Sequence, residues 1–125
     1  MLNLTQHNIT KEQEKEGVVE PKNKDYVCSL LTFDTMPTED QLKESARKLA
    51  EYALFQKEKK VMIGGAMYLM PYLIDELNKR GIEAYYSFSE RQSVDKKLED
   101  GTVEKNTIFK HCGFVKALLP DGKDG

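Results

Sequence analysis

The chain carries no excess of positive charge. Its 19 lysines and arginines are outnumbered by 21 aspartates and glutamates, for a net charge of −2 and a pI of about 5.7. Proteins that grip duplex nucleic acid through its phosphates show a basic excess. No duplex partner is therefore expected, and any nucleotide ligand must be small and held in a local pocket. No apolar run approaches the roughly 20 residues of a membrane span, and mean hydropathy is −0.61, so no membrane association is expected. The sequence does not open with a basic segment and an apolar block, so no secretory signal is read and the expected location is the cytoplasm. The two cysteines, Cys28 and Cys112, match neither a metal-ligand spacing nor a CxxC motif. They read as buried free thiols in a reducing compartment.

Several catalytic signatures are missing too. There is no GxGxxG dinucleotide turn and no Gly-Lys-Ser/Thr phosphate loop. There is no Gly-x-Ser-x-Gly elbow. The two histidines, His7 and His111, lack a third ligand at a convincing spacing for zinc, so no metal and no cofactor is expected.

The richest stretch that is present runs from Val61 to Arg91. An apolar segment, Val61-Met62-Ile63, leads into Gly64-Gly65-Ala66, then an amphipathic segment to Arg80, then Gly81, then Ile82 to Arg91. This order predicts strand, glycine turn, helix, glycine stop and second strand. A βαβ unit brings the turn and the end of the second strand to one edge of a parallel sheet. Backbone N–H groups at a helix start suit an anion; the same glycines also suit tight strand-to-helix packing, and both readings stay open. On the second strand Ser87, Ser89 and Arg91 alternate to one side, where hydroxyls and a guanidinium suit a phosphate. The other reading is a solvent-facing strand end, with Arg91 paired to Glu90 or Asp95.

Around this unit, Leu2 to Thr5 reads as a first strand followed by Gln6 and His7. Thr10 and Gln13 form a capping-box pair for a short helix stopped by Gly17. Pro21 to Asp25 reads as a charged turn and Tyr26 to Phe33 as a second strand. Thr38 to Gln56 reads as a helix with a Thr38/Gln41 capping box, an inner face of Leu42, Ala46, Leu49, Ala50 and Ala53, and a solvated charged face. Ala66, Leu69, Met70, Leu73, Ile74 and Leu77 form a second apolar stripe. Pro71 is tolerated only near a helix start, so either that helix begins near Tyr68 or its first turn is kinked. Ser93 to Leu98 and Val103 to Phe109 flank Asp100-Gly101, a strong hairpin signal, with Val94/Leu98 and Val103/Ile108 as the expected inward positions. The fold class expected is α/β: a Rossmann-like, mostly parallel sheet flanked by helices, with a C-terminal antiparallel hairpin. One domain spans 1–117, with a loose tail at 118–125.

His7, at the end of the first strand, and His111, near the end of the last, are candidates for general acid–base work, since imidazole titrates near neutrality. A lone histidine is also commonly structural. Tyr68, close to the glycine turn, is a candidate stacking surface for a base. Tyr72 and Tyr85 read as core or interface.

Thr5-Gln6-His7-Asn8-Ile9-Thr10-Lys11-Glu12-Gln13 resembles the opening of small CRISPR-associated Csx proteins, with a Ser/Thr–His element before a "Thr-x-Glu-Gln" stretch. Tyr86 to Val94, Asp100-Gly101-Thr102-Val103, and Phe109, His111 and Phe114 resemble their final strand, hairpin and closing "Phe-x-His-x-x-Phe". The resemblance implies a CARF-like Rossmann fold, usually a homodimer, that binds cyclic oligoadenylate. It also implies a metal-independent ring nuclease, in which a ribose 2′-OH attacks the adjacent phosphodiester. The carry-over falls on His7 and Arg91 as catalytic groups. Gln6, Gly64, Gly65, Tyr68, Ser87, Ser89 and, secondarily, His111 would bind the ligand. The acidic pI departs from the strongly basic cleft that a polyanion favours. The alternatives are a non-catalytic binder of a nucleotide or phosphorylated metabolite, and a dimeric interaction module built on the tyrosine-rich face.

Overall fold

The computed structural model describes residues 1–119. Its elements in chain order are β1 (Leu2–Leu4), α1 (Lys11–Lys15), α2 (Lys24–Leu31), α3 (Glu39–Phe55), β2 (Lys60–Ile63), α4 (Met70–Lys79), β3 (Glu83–Lys97) and β4 (Val103–Lys116). They form an α/β fold with one four-stranded sheet in the order β1-β2-β3-β4. β1, β2 and β3 are parallel, and β3 and β4 are antiparallel.

The sheet has one apolar face. Leu2, Leu4, Val61, Ile63 and Ala84 join residues of α2, α3 and α4 in a single buried cluster. α3 supplies it with Leu42, Ala46, Leu49, Ala50 and Ala53, as its spacing predicts, and both halves of the Thr38/Gln41 capping box are made. The opposite face of α3 carries ion pairs between Lys43 and Glu39, and between Arg47 and both Glu44 and Glu51. α4 begins with Pro71 in its first turn. It stops at Gly81, whose φ of +73° is the left-handed backbone that glycine adopts without strain.

Two expectations are corrected. Tyr26 to Phe33 is not a strand. Asn23 accepts the Tyr26 N–H and starts α2, and Val27 and Leu31, one turn apart, are buried in the core; tertiary packing overrides local β-propensity. In β1, Asn3 is as fully buried as its leucine neighbours. β1 is covered on its outer edge by a bridge to Val19. The thiols are not buried: Cys28 is partly exposed and Cys112 exposed.

Only Glu83 to Tyr85 of β3 pair with β2. Beyond Tyr85, β3 and β4 continue as a two-stranded ribbon down to Lys97 and Val103. The hairpin positions expected to face inward, Val94, Leu98, Val103 and Ile108, are exposed. Val94 and Ile108 share one face of the ribbon, opposite Asn106 and Gln92, while Val103, opposite Lys97, lies on the other, and among the described residues neither face is covered. At the root of the ribbon the register slips: Phe88 pairs with Gly113 and Ser89 with His111, leaving Cys112 as a bulge. After β4, Ala117 is buried and Leu119 packs against the core. Residues 120–125 of the expected tail lie outside the described residues.

Candidate cleft at the carboxyl edge of the parallel strands

The register Leu4↔Ile63 sets the end of β1 beside the glycine turn after β2. A methyl group built on Gly64 would touch Thr5 Cγ2 at 3.4 Å, an ordinary contact. Gly65 has a φ of +141° and is needed as glycine for its backbone. The turn therefore serves chain conformation at Gly65, while at Gly64 it leaves the surface open. Among the described residues, the amides of Gly65, Ala66, Met67 and Tyr68 make no backbone hydrogen bond.

A cleft of about 430 Å³ opens here. Its walls come from the β1 end (Thr5, Gln6, His7, Asn8), from Thr10 and Gln13, from the β2 end (Met62 to Gly65), and from Tyr86 and Ser87 of β3. Ligands of open α/β sheets settle at this edge, beyond the carboxyl ends of the strands. Burial raises the Tyr86 phenol above its ordinary value of 10.0, so at neutral pH it is a protonated donor. No lysine or arginine is among the lining residues.

The loop carrying His7 is held by a polar network under the cleft. The His7 carbonyl accepts from Asn3 Nδ2 at 2.7 Å, Lys24 Nζ at 2.8 Å and Thr5 Oγ1 at 3.2 Å. Lys24 Nζ also donates to the Thr5 carbonyl at 2.8 Å and to Glu20 at 3.3 Å. Glu20 in turn accepts from Asn3 Nδ2 and from the Ile9 N–H. Burial pushes the Glu20 carboxyl up, but the bonds from Ile9, Asn3 and Lys24, with the Lys24 charge, outweigh it and hold the group below its ordinary 4.5. The His7 side chain is exposed and stands in the cleft wall on a fixed backbone.

The other sequence candidates divide. Gln6, His7, Gly64, Gly65 and Ser87 meet at the cleft. Gln6 also donates to Thr32 Oγ1 at 2.6 Å and ties the loop to the end of α2. His111 lies just behind Ser87, with Nδ1 3.1 Å from its Oγ. Ser89 and Arg91 do not line the cleft. Ser89 sits opposite His111 past the bulge, and the Arg91 guanidinium lies 5.8 Å from the Phe109 ring centroid on the ribbon. Tyr68 turns away toward Phe33, ring centroids 6.0 Å apart, and lines a separate cleft with Thr35, Met36, Pro37 and Leu42.

A family model described as the uncharacterized protein MJ1673 family matches residues 1–115. The chain belongs to that family. The matched span contains the whole cleft, its supporting network and the ribbon. No curated protein and no solved structure matches the chain significantly.

Asn3, Gln13, Glu20 and Lys24 are the residues that sequence reasoning missed. Asn3 carried one signal: an amide between two leucines on a short strand is a buried polar group wherever that strand is covered on both faces, and such a group needs partners.

Proposed function

We propose that the cleft binds a cyclic oligoadenylate and that the protein cleaves it as a metal-independent ring nuclease. The observation that carries this reading is the meeting of His7, Gly64, Gly65 and Ser87, from the ends of β1 and β2 and the point where β3 leaves the parallel sheet, around one cleft. Free amides after Gly64 and the Tyr86 hydroxyl offer neutral donors for phosphate and ribose oxygens. His7 is the imidazole that touches ligand. The resemblance of both chain ends to Csx proteins supplies the ligand class. A messenger made inside the cell places the protein in the cytoplasm on this reading.

A homodimer belongs to the same proposal. Met67, two residues past Gly65, is 85% exposed, and Met36 and Tyr68 are exposed as well. A symmetric contact through this patch would bring two clefts near one another and suit a ring with repeated nucleotides. The patch also supports a second reading, a protein-docking module without a small ligand.

The test is incubation with cyclic tetra-adenylate without added metal, followed by chromatography and mass analysis. Linear products ending in a cyclic phosphate are expected. Ligand that is bound but intact would reduce the reading to sequestration. An absence of binding, with the protein dimeric through Met67, would favour the docking module.

A further inference from the structure

Ser87, His111 and Glu16 come from β3, β4 and the end of α1, and they form one chain of contacts. Ser87 Oγ lies 3.1 Å from His111 Nδ1. On the other side of the ring, His111 Nε2 lies 3.4 Å from Glu16 Oε1. The His111 side chain is only 5% exposed. Its Nε2 is buried and has no well-formed hydrogen bond among the described residues. The Phe114 ring meets the imidazole edge-on, centroids 5.0 Å apart, and restricts its plane.

Gln13 and Glu16 together set the direction of the proton. Its Oε1 is occupied by the Thr10 N–H at 2.9 Å, the second half of the α1 capping box. The amide is therefore oriented, and Nε2 must be the atom that faces Ser87, 3.1 Å from Oγ. An amide nitrogen only donates. Ser87 Oγ accepts that bond, and Glu16 decides the rest. Its carboxylate, which only accepts, faces His111 Nε2 at 3.4 Å and calls for the ring proton there, so the Ser87 hydrogen is directed to His111 Nδ1. Nδ1 is then the bare nitrogen, and the ring proton sits on Nε2, facing the Glu16 carboxylate. A hydroxyl, an imidazole and a carboxylate in this order have the logic of an activated-hydroxyl triad, and Ser87 opens directly into the cleft.

We propose that Ser87, His111 and Glu16 form a proton relay whose open end is the Ser87 hydroxyl in the cleft. Its role in cleavage rests on the ring-nuclease reading. The ribose 2′-oxygen forms a bond to the adjacent phosphorus as the bond from phosphorus to the 5′-oxygen breaks. The 2′-OH proton passes to Ser87 Oγ while the Ser87 proton passes to His111 Nδ1. The resulting imidazolium keeps its Nε2 proton against Glu16. The departing 5′-oxygen takes a proton from water at the cleft mouth, and His111 later returns its proton to water. His7 orients the ligand and Ser87 touches it. His111 and Glu16 act through Ser87 as positioning residues.

The test has two parts. In the ligand-free protein, nitrogen NMR of labelled histidine should show His111 with Nδ1 unprotonated and Nε2 protonated, and Glu16→Gln should move the Nε2 signal. The opposite tautomer overturns the relay whether or not any oligoadenylate is cleaved. This keeps its failure separate from failure of the ring-nuclease reading. With cyclic tetra-adenylate, Ser87→Ala should slow single-turnover cleavage by roughly 100-fold or more, and Glu16→Gln by a smaller factor, both with unchanged ligand affinity. Glu16 is 45% exposed, so its variant leaves the fold intact. Unchanged cleavage in both variants, a loss confined to affinity, or a phosphorylated Ser87 adduct would overturn the relay.

Discussion

The sheet and helices that form the body, and the ribbon that leaves it, are held in different ways. In the body, Leu4, Leu49, Leu73 and Leu77 are fully buried in one cluster, and burial of such side chains contributes roughly 1.5–3 kcal/mol each. In the ribbon past Tyr85, among the described residues, β3 and β4 pair only with one another. Phe109 and Val103 stay largely exposed. Backbone pairing alone gives a two-stranded hairpin only marginal stability in water. The cleft lies where these two regimes meet. His7 and the glycine turn come from the rigid side. Ser87 comes from the root of the ribbon, as does His111 behind it, where α1 still braces the strands through Gln13 and Glu16.

The sharpest way to break this contrast is to delete matched apolar volume on each side. Leu73→Ala should cost about 2–5 kcal/mol of unfolding free energy in a denaturant titration. Ile108→Ala in the ribbon should stay within about 0.5 kcal/mol. Equal losses would mean that the ribbon is covered in solution, as a second copy would cover it. Next in size is the network below His7. Lys24→Ala leaves the Thr5 and His7 carbonyls and Glu20 short of a donor and should cost roughly 1–3 kcal/mol. It should also speed amide exchange at Gln6 to Asn8 more than in the ribbon. Gly65→Ala places a side chain at positive φ and should cost about 1 kcal/mol or more. Gly64→Ala should be milder, because its methyl has ordinary room against Thr5.

The smallest effect is a pH dependence. Glu20 titrates below its ordinary 4.5 in the folded chain, so the stability it contributes is complete above that value. It is lost as the pH falls through the lowered folded value. Acid titration of Glu20→Gln should lack this component, and identical acid curves for variant and wild type would remove Glu20 from the account.

The elements fixed by local chemistry were legible in the sequence. Thr10 with Gln13, Thr38 with Gln41, Gly81, and the Leu42-to-Ala53 face each state their role within a few residues. The nearness of the glycine turn to Ser87 was legible too, because a βαβ unit brings those two segments to one edge, whereas the place of β1, which brings Gln6 and His7 there, depends on strand order and was not. α2 was hidden because Tyr26 to Phe33 has strand-like composition, and only the core contacts of Val27 and Leu31 make it helical. The slip at Cys112, which sets His111 opposite Ser89, has no local signature. The meeting of Gln13 with Ser87 depends on where α1 crosses the sheet. Arg91 read as a neighbour of the cleft because its segment was taken to end a parallel strand, but the parallel pairing stops at Tyr85; each residue along a strand adds about 3.3 Å, and the four from Ser87 carry Arg91 out onto the ribbon.

The most direct measurement is an amide NMR titration of the labelled protein with cyclic tetra-adenylate. The account predicts shifts concentrated at Gln6 to Asn8, Gly64 to Ala66, and Tyr86 to Ser87, with the far ribbon unmoved. Shifts confined to Phe33, Met36 and Tyr68, or no shifts at saturating ligand, would contradict it.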